Sequence, residues 1–197
     1  MFVTFEGIDG SGKSTQAALL RDGLVGDGHE VVYTREPGGT ELGEGVRKLV
    51  LDGPDMTPWA EATLYASARA ELVERVIRPA RERGAWVLCD RYIDSSVAYQ
   101  GIGRGLGVGR VLELNLAATR GLLPDRTFVL LVSLADANTR AAGLRDRIER
   151  EDDDFFRRVD GAYRGLATLF PERIVPLDGT RPPDEIAERI REQVRGL

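Results

Sequence analysis

Residues 5–15 read FEGIDGSGKST. Gly7, Gly12, Lys13 and Ser14 fit the spacing G-x-x-x-x-G-K-[ST], that of a loop whose backbone N–H groups turn inward on phosphate oxygens. The preceding run MFVTF is apolar and reads as a strand, while Ala17, Leu20 and Leu24 recur at helical spacing behind the loop. That strand–loop–helix setting is what separates a phosphate loop from a glycine turn with a chance lysine. The positive end of the following helix adds to the same point. In such loops the lysine reaches the β/γ oxygens and the Ser14 hydroxyl ligates Mg²⁺. The stretch Gly7, Ile8, Asp9, Gly10, Ser11, Gly12, Lys13, Ser14 and Thr15 is therefore the expected ATP-phosphate site. Asp9 is out of place among anions, and calls either for a hydroxyl partner or for loop amides that it caps.

Working outward, EVVYT (30–34), AWVLCD (85–90), TFVLLVSL (127–134) and RIVPL (173–177) read as further buried strands. Helical patterns alternate with them, including a long one from about 59 to 83 that Pro79 should kink. Two polar helices are expected over 136–150 and 152–169, and a last one over PDEIAERIREQV. Alternation of this kind predicts an α/β fold: a P-loop NTPase-like, three-layer α/β/α domain on a central, roughly five-stranded parallel sheet.

With 197 residues, 42% hydrophobic and 30% charged, the chain has the make-up of one globular domain. A net charge of −5 argues against a nucleic-acid-binding face. The lone cysteine, Cys89, allows no intrachain disulfide. No apolar run approaches the ~18 residues of a membrane span, and no cationic leader precedes the loop, so cytoplasmic residence is the expectation. Of 27 cationic residues only Lys13 and Lys48 are lysines. The N-K-x-D motif of the common guanine-specific GTPases is thereby excluded, and a small kinase fits the length.

A second signature lies in LCDRYIDSSVAYQ, residues 88–100. Asp90 ends a buried strand, where an acid can hold the Mg²⁺ shell, and Arg91 offers a planar fork to phosphate; by themselves the two also fit a strand-end ion pair. Together with TREPGGT (34–40), LYASAR (64–69) and DRIEREDDDFF (146–156), this run resembles the thymidylate kinase family over nearly the whole chain.

The resemblance implies a single nucleoside-monophosphate-kinase-type domain, 1–197, with a helical lid at about 136–154. It implies transfer of the γ-phosphoryl of ATP to dTMP with Mg²⁺, a step toward dTTP, by a homodimer. It assigns dTMP contacts to Asp9 (sugar hydroxyl), Glu36, Arg47, Tyr65 (stacking on the base), Arg69 (hydrogen-bonding the base), Arg91, Ser96, Tyr99 (crowding the sugar 2′ position) and Gln100 (reading the pyrimidine edge). Taken as residues alone, Tyr65 and Tyr99 suit a core, and Arg69 and Arg47 a solvated surface. Some members carry an arginine in the phosphate loop; here Gly10 stands there, and TRAAGLRDRIER (139–150) supplies Arg140, Arg145, Arg147 and Arg150 instead. Arg147 is the expected stabiliser of the transferring phosphoryl beside Lys13 and Arg91, and Arg140 the partner of adenine with Gly179 and Thr180. Ser14 and Asp90 are the expected metal ligands. Two other readings stay open on the residues: a related nucleoside or nucleotide kinase, and a nucleotide-sensing protein without turnover.

Overall fold

The computed structural model describes residues 1–140 and 146–195. Among these, five strands form one parallel sheet: β1 (Phe2–Glu6), β2 (Val31–Arg35), β3 (Trp86–Asp90), β4 (Arg126–Leu131) and β5 (Ile174–Asp178), in the order β2-β3-β1-β4-β5. Every strand lies within two residues of its expected start. β1 sits at the centre because both of its faces are dry. Val3 and Phe5 pack with Leu20 and Leu24 of α1 (Lys13–Gly26) and with Ile186, Ile190 and Val194 of α9 (Pro183–Arg195). Phe2 packs on the opposite face with Leu72, Ile77 and Tyr92. Thr4 and Glu6 share that opposite face and are fully buried.

The strand order reverses around β1, so the crevice of this sheet opens at its carboxyl edge, where ligands of open parallel sheets bind. Backbone bonds align that edge: the Arg91 N–H donates to the Phe5 carbonyl (2.9 Å), the Glu36 N–H to Asp90 (2.9 Å) and the Gly179 N–H to Leu131 (2.8 Å). Four loops therefore converge beside the phosphate loop.

Between the strands lie α2 (Glu41–Asp52), α3 (Pro58–Leu72), α4 (Arg78–Glu82), α5 (Ile93–Ser96), α6 (Val108–Thr119), α7 (Leu134–Arg140) and α8 (Asp153–Leu169). Thr40 and Thr57 cap α2 and α3 through their hydroxyls. The expected kink near Pro79 takes the form of a π-helical turn, Val73–Ile77, which leads into α4. Pro79 has no N–H to continue the α ladder, and a one-residue excess absorbs the defect. A second π turn, Val97–Gly103, follows α5 and re-aims its side chains toward the crevice.

The expected helix over 136–150 is not one element. Helix α7 is described as Leu134–Arg140, and residues 147–150 form turns after Asp146. Asp146 Oδ1 accepts from the Ile148 and Glu149 N–H groups (2.8 Å each), closing a tight turn that competes with a helix. Arg145 lies outside the described residues.

Candidate active site

The loop after β1 is shaped by three glycines in the left-handed half of backbone space, Gly7 (φ 135°), Gly10 (φ 79°) and Gly12 (φ 98°). At Gly7 a Cβ would meet the Leu130 carbonyl at 2.5 Å, and at Gly10 the Ala137 carbonyl at 2.4 Å. An arginine at position 10 is thus excluded by the packing of α7 against the loop. Gly7 and Ile8 serve the site through the backbone: the Gly7 carbonyl accepts from Arg91 Nη1 (3.0 Å) and the Ile8 carbonyl from Lys13 Nζ (2.9 Å). The Ile8 side chain belongs to the core.

A cleft of ≈ 720 Å³ opens along Asp9–Gln16 and is walled by Arg35, Arg140, Gly179 and Arg181. A second cavity adjoins it, lined by Leu51, Tyr65, Ser95, Ser96, Tyr99, Gln100, Ile148 and Glu149 among others. Asp9, Glu36, Arg47 and Arg91 line both. A group moving from one cavity to the other would pass these four side chains.

Their electrostatics fit anionic ligands on either side. Asp9 Oδ1 accepts from Arg91 Nη2 at 2.7 Å and lies 3.6 Å from Lys13 Nζ. Burial works to raise the Asp9 carboxyl, but the charges of Arg91 and Lys13 prevail and hold it well below the usual range. Burial and the neighbouring Arg91 lower Lys13. Arg91 itself lies at φ 68°, a left-handed conformation that a non-glycine residue adopts at a cost of roughly 1–3 kcal/mol. Its N–H bond to Phe5 and its guanidinium bonds to Gly7, Asp9 and Ser95 fix it there. Ser14 Oγ donates to Asp90 Oδ2 at 2.6 Å, so a hydroxyl and a carboxylate meet at the head of α1. One such pair, with phosphate oxygens and water completing the shell, suits a hard divalent cation. No cluster of three acidic, His or Cys ligands exists among the described residues.

Beneath Arg91 lies a carboxylate that sequence reading left without a role. Glu6 accepts from the Tyr92 N–H (2.7 Å), Ser95 Oγ (2.5 Å) and Tyr163 Oη (3.0 Å). Burial first, then the neighbouring Asp94, push its carboxyl up to about 7. An acid closing a buried strand just before the loop was the available signal for Glu6; nothing in the sequence marked Tyr163.

Three expected residues take other places. Arg69 is 1% exposed and lines neither cavity. Its guanidinium donates to Glu36 Oε2 (2.7 Å), Ser96 Oγ (2.9 Å), Asn115 Oδ1 and the Tyr92 carbonyl (2.9 Å), which uses up its donors away from any base. Arg69 therefore holds Glu36 and Ser96 rather than hydrogen-bonding the base. Arg147, expected at the transferring phosphoryl, is 7% exposed and also lines neither cavity. Its Nε donates to the Val50 carbonyl (2.9 Å) and its Nη2 to Glu61 Oε2 (2.7 Å). Thr180 turns its hydroxyl to Asp178 Oδ1 (2.6 Å) and faces a separate groove. Gly179 and Arg140 do line the cleft, joined by a bond from Arg140 Nη1 to the Gly179 carbonyl (2.8 Å). The sequence left the Glu36–Pro37 peptide open; it is cis. Arg35, Arg181 and Glu61 are additions that reading the sequence did not supply.

The family model described as thymidylate kinase matches residues 5–190. The chain is 53% identical over 201 residues to the thymidylate kinase of Clavibacter michiganensis subsp. michiganensis, covering all of this chain and 95% of that protein. It is 48% identical over 193 residues to that of Deinococcus radiodurans, covering 96% and 94%. Among solved structures, the crystal structure of thymidylate kinase from Ehrlichia chaffeensis superposes with a TM-score of 0.77 at 35% identity, covering 90% of this chain and 91% of that one. With its phosphate loop, its D-R-Y run and its two joined cavities accounted for, the chain belongs to the thymidylate kinase family.

Proposed function

We propose that this protein transfers the γ-phosphoryl group of ATP to the 5′-phosphate of dTMP, giving dTDP and ADP. The observation that carries the reading is the junction of the two cavities at Asp9, Glu36, Arg47 and Arg91. ATP phosphates lie along residues 10–15, and dTMP enters the second cavity, where the Tyr65 ring, Ser96, Tyr99 and Gln100 meet the base and sugar. Asp9 accepts a hydrogen bond from the sugar hydroxyl, a partner that its low carboxyl and its place between two anion sites favour. Adenine lies toward Arg140 and Gly179.

The chemistry asks mainly for positioning and charge neutralisation. The acceptor phosphate is already anionic at neutral pH and is itself the nucleophile, so no strong base is required. Its oxygen forms the new P–O bond while the bond to the β-phosphate oxygen breaks. Lys13 and Arg91, fixed before substrate arrives, offer donors where negative charge spreads. Arg47, tethered by Nη1 to the Pro37 carbonyl (3.1 Å), reaches both cavities. Mg²⁺ is the proposed metal; Ser14 and Asp90 would hold it, and its charge would offset that of the nucleotide phosphates. The family resemblance supports a homodimer and a cytoplasmic location.

The test is ADP release with ATP and, in turn, dTMP, dUMP, UMP, dCMP and thymidine. The highest kcat/KM is expected for dTMP. Turnover of thymidine without turnover of dTMP refutes the reading, and ATP binding without turnover of any acceptor points to a sensor.

A further inference from the structure

Glu61, in the first turn of α3, is a fully buried acid that lines neither cavity. Four donors converge on it. Oε1 accepts from Gln100 Nε2 (2.8 Å) and Arg104 Nε (3.2 Å), and Oε2 from Arg104 Nη2 (3.1 Å) and Arg147 Nη2 (2.7 Å). Burial works to raise its carboxyl, but the bonds from Arg104 and Gln100, the Arg104 charge and the bond from Arg147 prevail and lower it. An ionised carboxylate accepts and cannot donate.

The orientation of Gln100 follows. An amide carries two donors on nitrogen and an acceptor on oxygen, and only its NH₂ end can face Glu61. Gln100 is 2% exposed and lines the acceptor cavity beside Tyr65 and Tyr99. Its Oε1 takes no hydrogen bond among the described residues. The cavity is thus offered an acceptor.

We propose that Glu61 is a positioning residue that locks the Gln100 amide with its carbonyl toward the base, so that the site selects pyrimidines bearing an N3–H donor and rejects cytosine. Thymine and uracil carry that proton; cytosine has a lone pair at N3, which would meet the Gln100 carbonyl oxygen lone pair to lone pair. Arg104 and Arg147 supply the charge that keeps Glu61 an acceptor, and Arg104 also reaches Glu151 Oε1 (2.5 Å), tying residues 147–151 to the same anchor. The proposal rests on the dTMP kinase reading.

The test is Glu61→Gln. Oε2 takes two guanidinium donors, Arg147 Nη2 (2.7 Å) and Arg104 Nη2 (3.1 Å), against the one longer bond from Arg104 Nε at Oε1 (3.2 Å), so the new carbonyl is held on the Oε2 side and the new NH₂ turns toward Gln100. Gln100 must then offer its own oxygen to residue 61 and its NH₂ to the cavity. The kcat/KM ratio of dTMP over dCMP is expected to fall at least roughly tenfold, the worth of one hydrogen bond of wrong sense, through the KM values. Arg147→Met removes a donor to Oε2 alone and is expected to keep the wild-type ratio. A folded Glu61→Gln protein with the wild-type ratio overturns the proposal. Wild-type protein inactive on dTMP overturns instead the reading beneath it. A measurement on wild type does not depend on Glu61→Gln folding: the Gln100 side-chain NH₂ resonances, assigned by through-bond and NOE connectivities, should exchange slowly and move little when dTMP is added. A large shift of those protons on binding dTMP means the amide faces the base by its nitrogen, and sinks the idea.

Discussion

Replacing Arg69 by Met keeps most of its volume and removes its charge. Arg69 and Glu36 are 1% and 4% exposed at their side chains and 2.5 Å apart at closest approach, so the change strands a carboxylate in the interior. Breaking a buried pair from one side costs about 3–5 kcal/mol, because the remaining charge has neither water nor partner. For a chain of this length that is a drop in Tm of roughly 6–20 °C. Ser96 and Asn115 lose a partner too, which places the value toward the upper end. Burial already raises Glu36 against the pull of Arg69, and without Arg69 it must rise further. The loss is therefore expected to grow as pH rises above the ordinary carboxylate range, as the stranded acid is forced to ionise. Urea denaturation at several pH values measures this. The double variant Arg69→Met, Glu36→Gln is expected to recover about 2 kcal/mol of the loss and to lack the pH dependence. A single variant within about 1 kcal/mol of wild type, or a double no better than the single, refutes the view that Arg69 holds Glu36.

Other outcomes follow from the same geometry. Lys13→Ala is expected to lower kcat by roughly 10²–10³-fold while urea denaturation changes little, because among the described residues Nζ bonds the loop's own Ile8 carbonyl and neighbouring Asp9 alone. Arg147→Met is expected to cost about 1–3 kcal/mol and to raise KM for dTMP more than it lowers kcat; a kcat effect alone would return Arg147 to the phosphoryl group. Gly10→Ala is expected to lose roughly 1–3 kcal/mol, its Cβ facing the Ala137 carbonyl at 2.4 Å, and an unchanged Tm would show that α7 yields freely. Glu6, raised by burial and Asp94 to about 7 from 4.5, binds a proton in the folded state that the unfolded chain releases. Its contribution is full below about pH 4.5 and is lost as pH rises to about 7, some 3 kcal/mol in all; Glu6→Gln should flatten that slope.

The layers of this fold were readable because each strand is a short apolar run bounded by turn residues, and because the phosphate loop requires a strand before it and a helix behind it. Cleft-lining positions within Asp9–Thr15 were readable for the same local reason. What misled lay in long-range electrostatics. Arg69 and Tyr65 are four residues apart on α3, which suggests a shared face, yet Tyr65 meets the cavity and Arg69 turns inward to Glu36, Ser96 and Asn115. In a chain so rich in arginine, spacing cannot say which guanidinium will find a buried acid 86 positions away, as Arg147 finds Glu61. The helix expected over 136–150 failed because Asp146 satisfies the amides of Ile148 and Glu149 in a turn. Hydrophobic periodicity carries no trace of that competition.

The two buried acids explain why the misplaced arginines matter. Glu36 lines the acceptor cavity and Glu61 sits behind it, and each is held ionisable by arginine rather than by water. Arg69 joins α3 to the Glu36 turn and to Ser96; Arg147 and Arg104 join α3 to the end of α2, to the second π turn and to residues 147–151. The cavity walls come from segments distant in the chain, and apolar packing alone would fix their spacing without fixing the sense of their hydrogen bonds. A carboxylate in the wall or behind it does the second task, since a carboxylate admits only donors. Selectivity at this site is then carried by residues that lie behind the cavity wall, and substitutions at Glu61 should alter which base is accepted more than how fast phosphate moves.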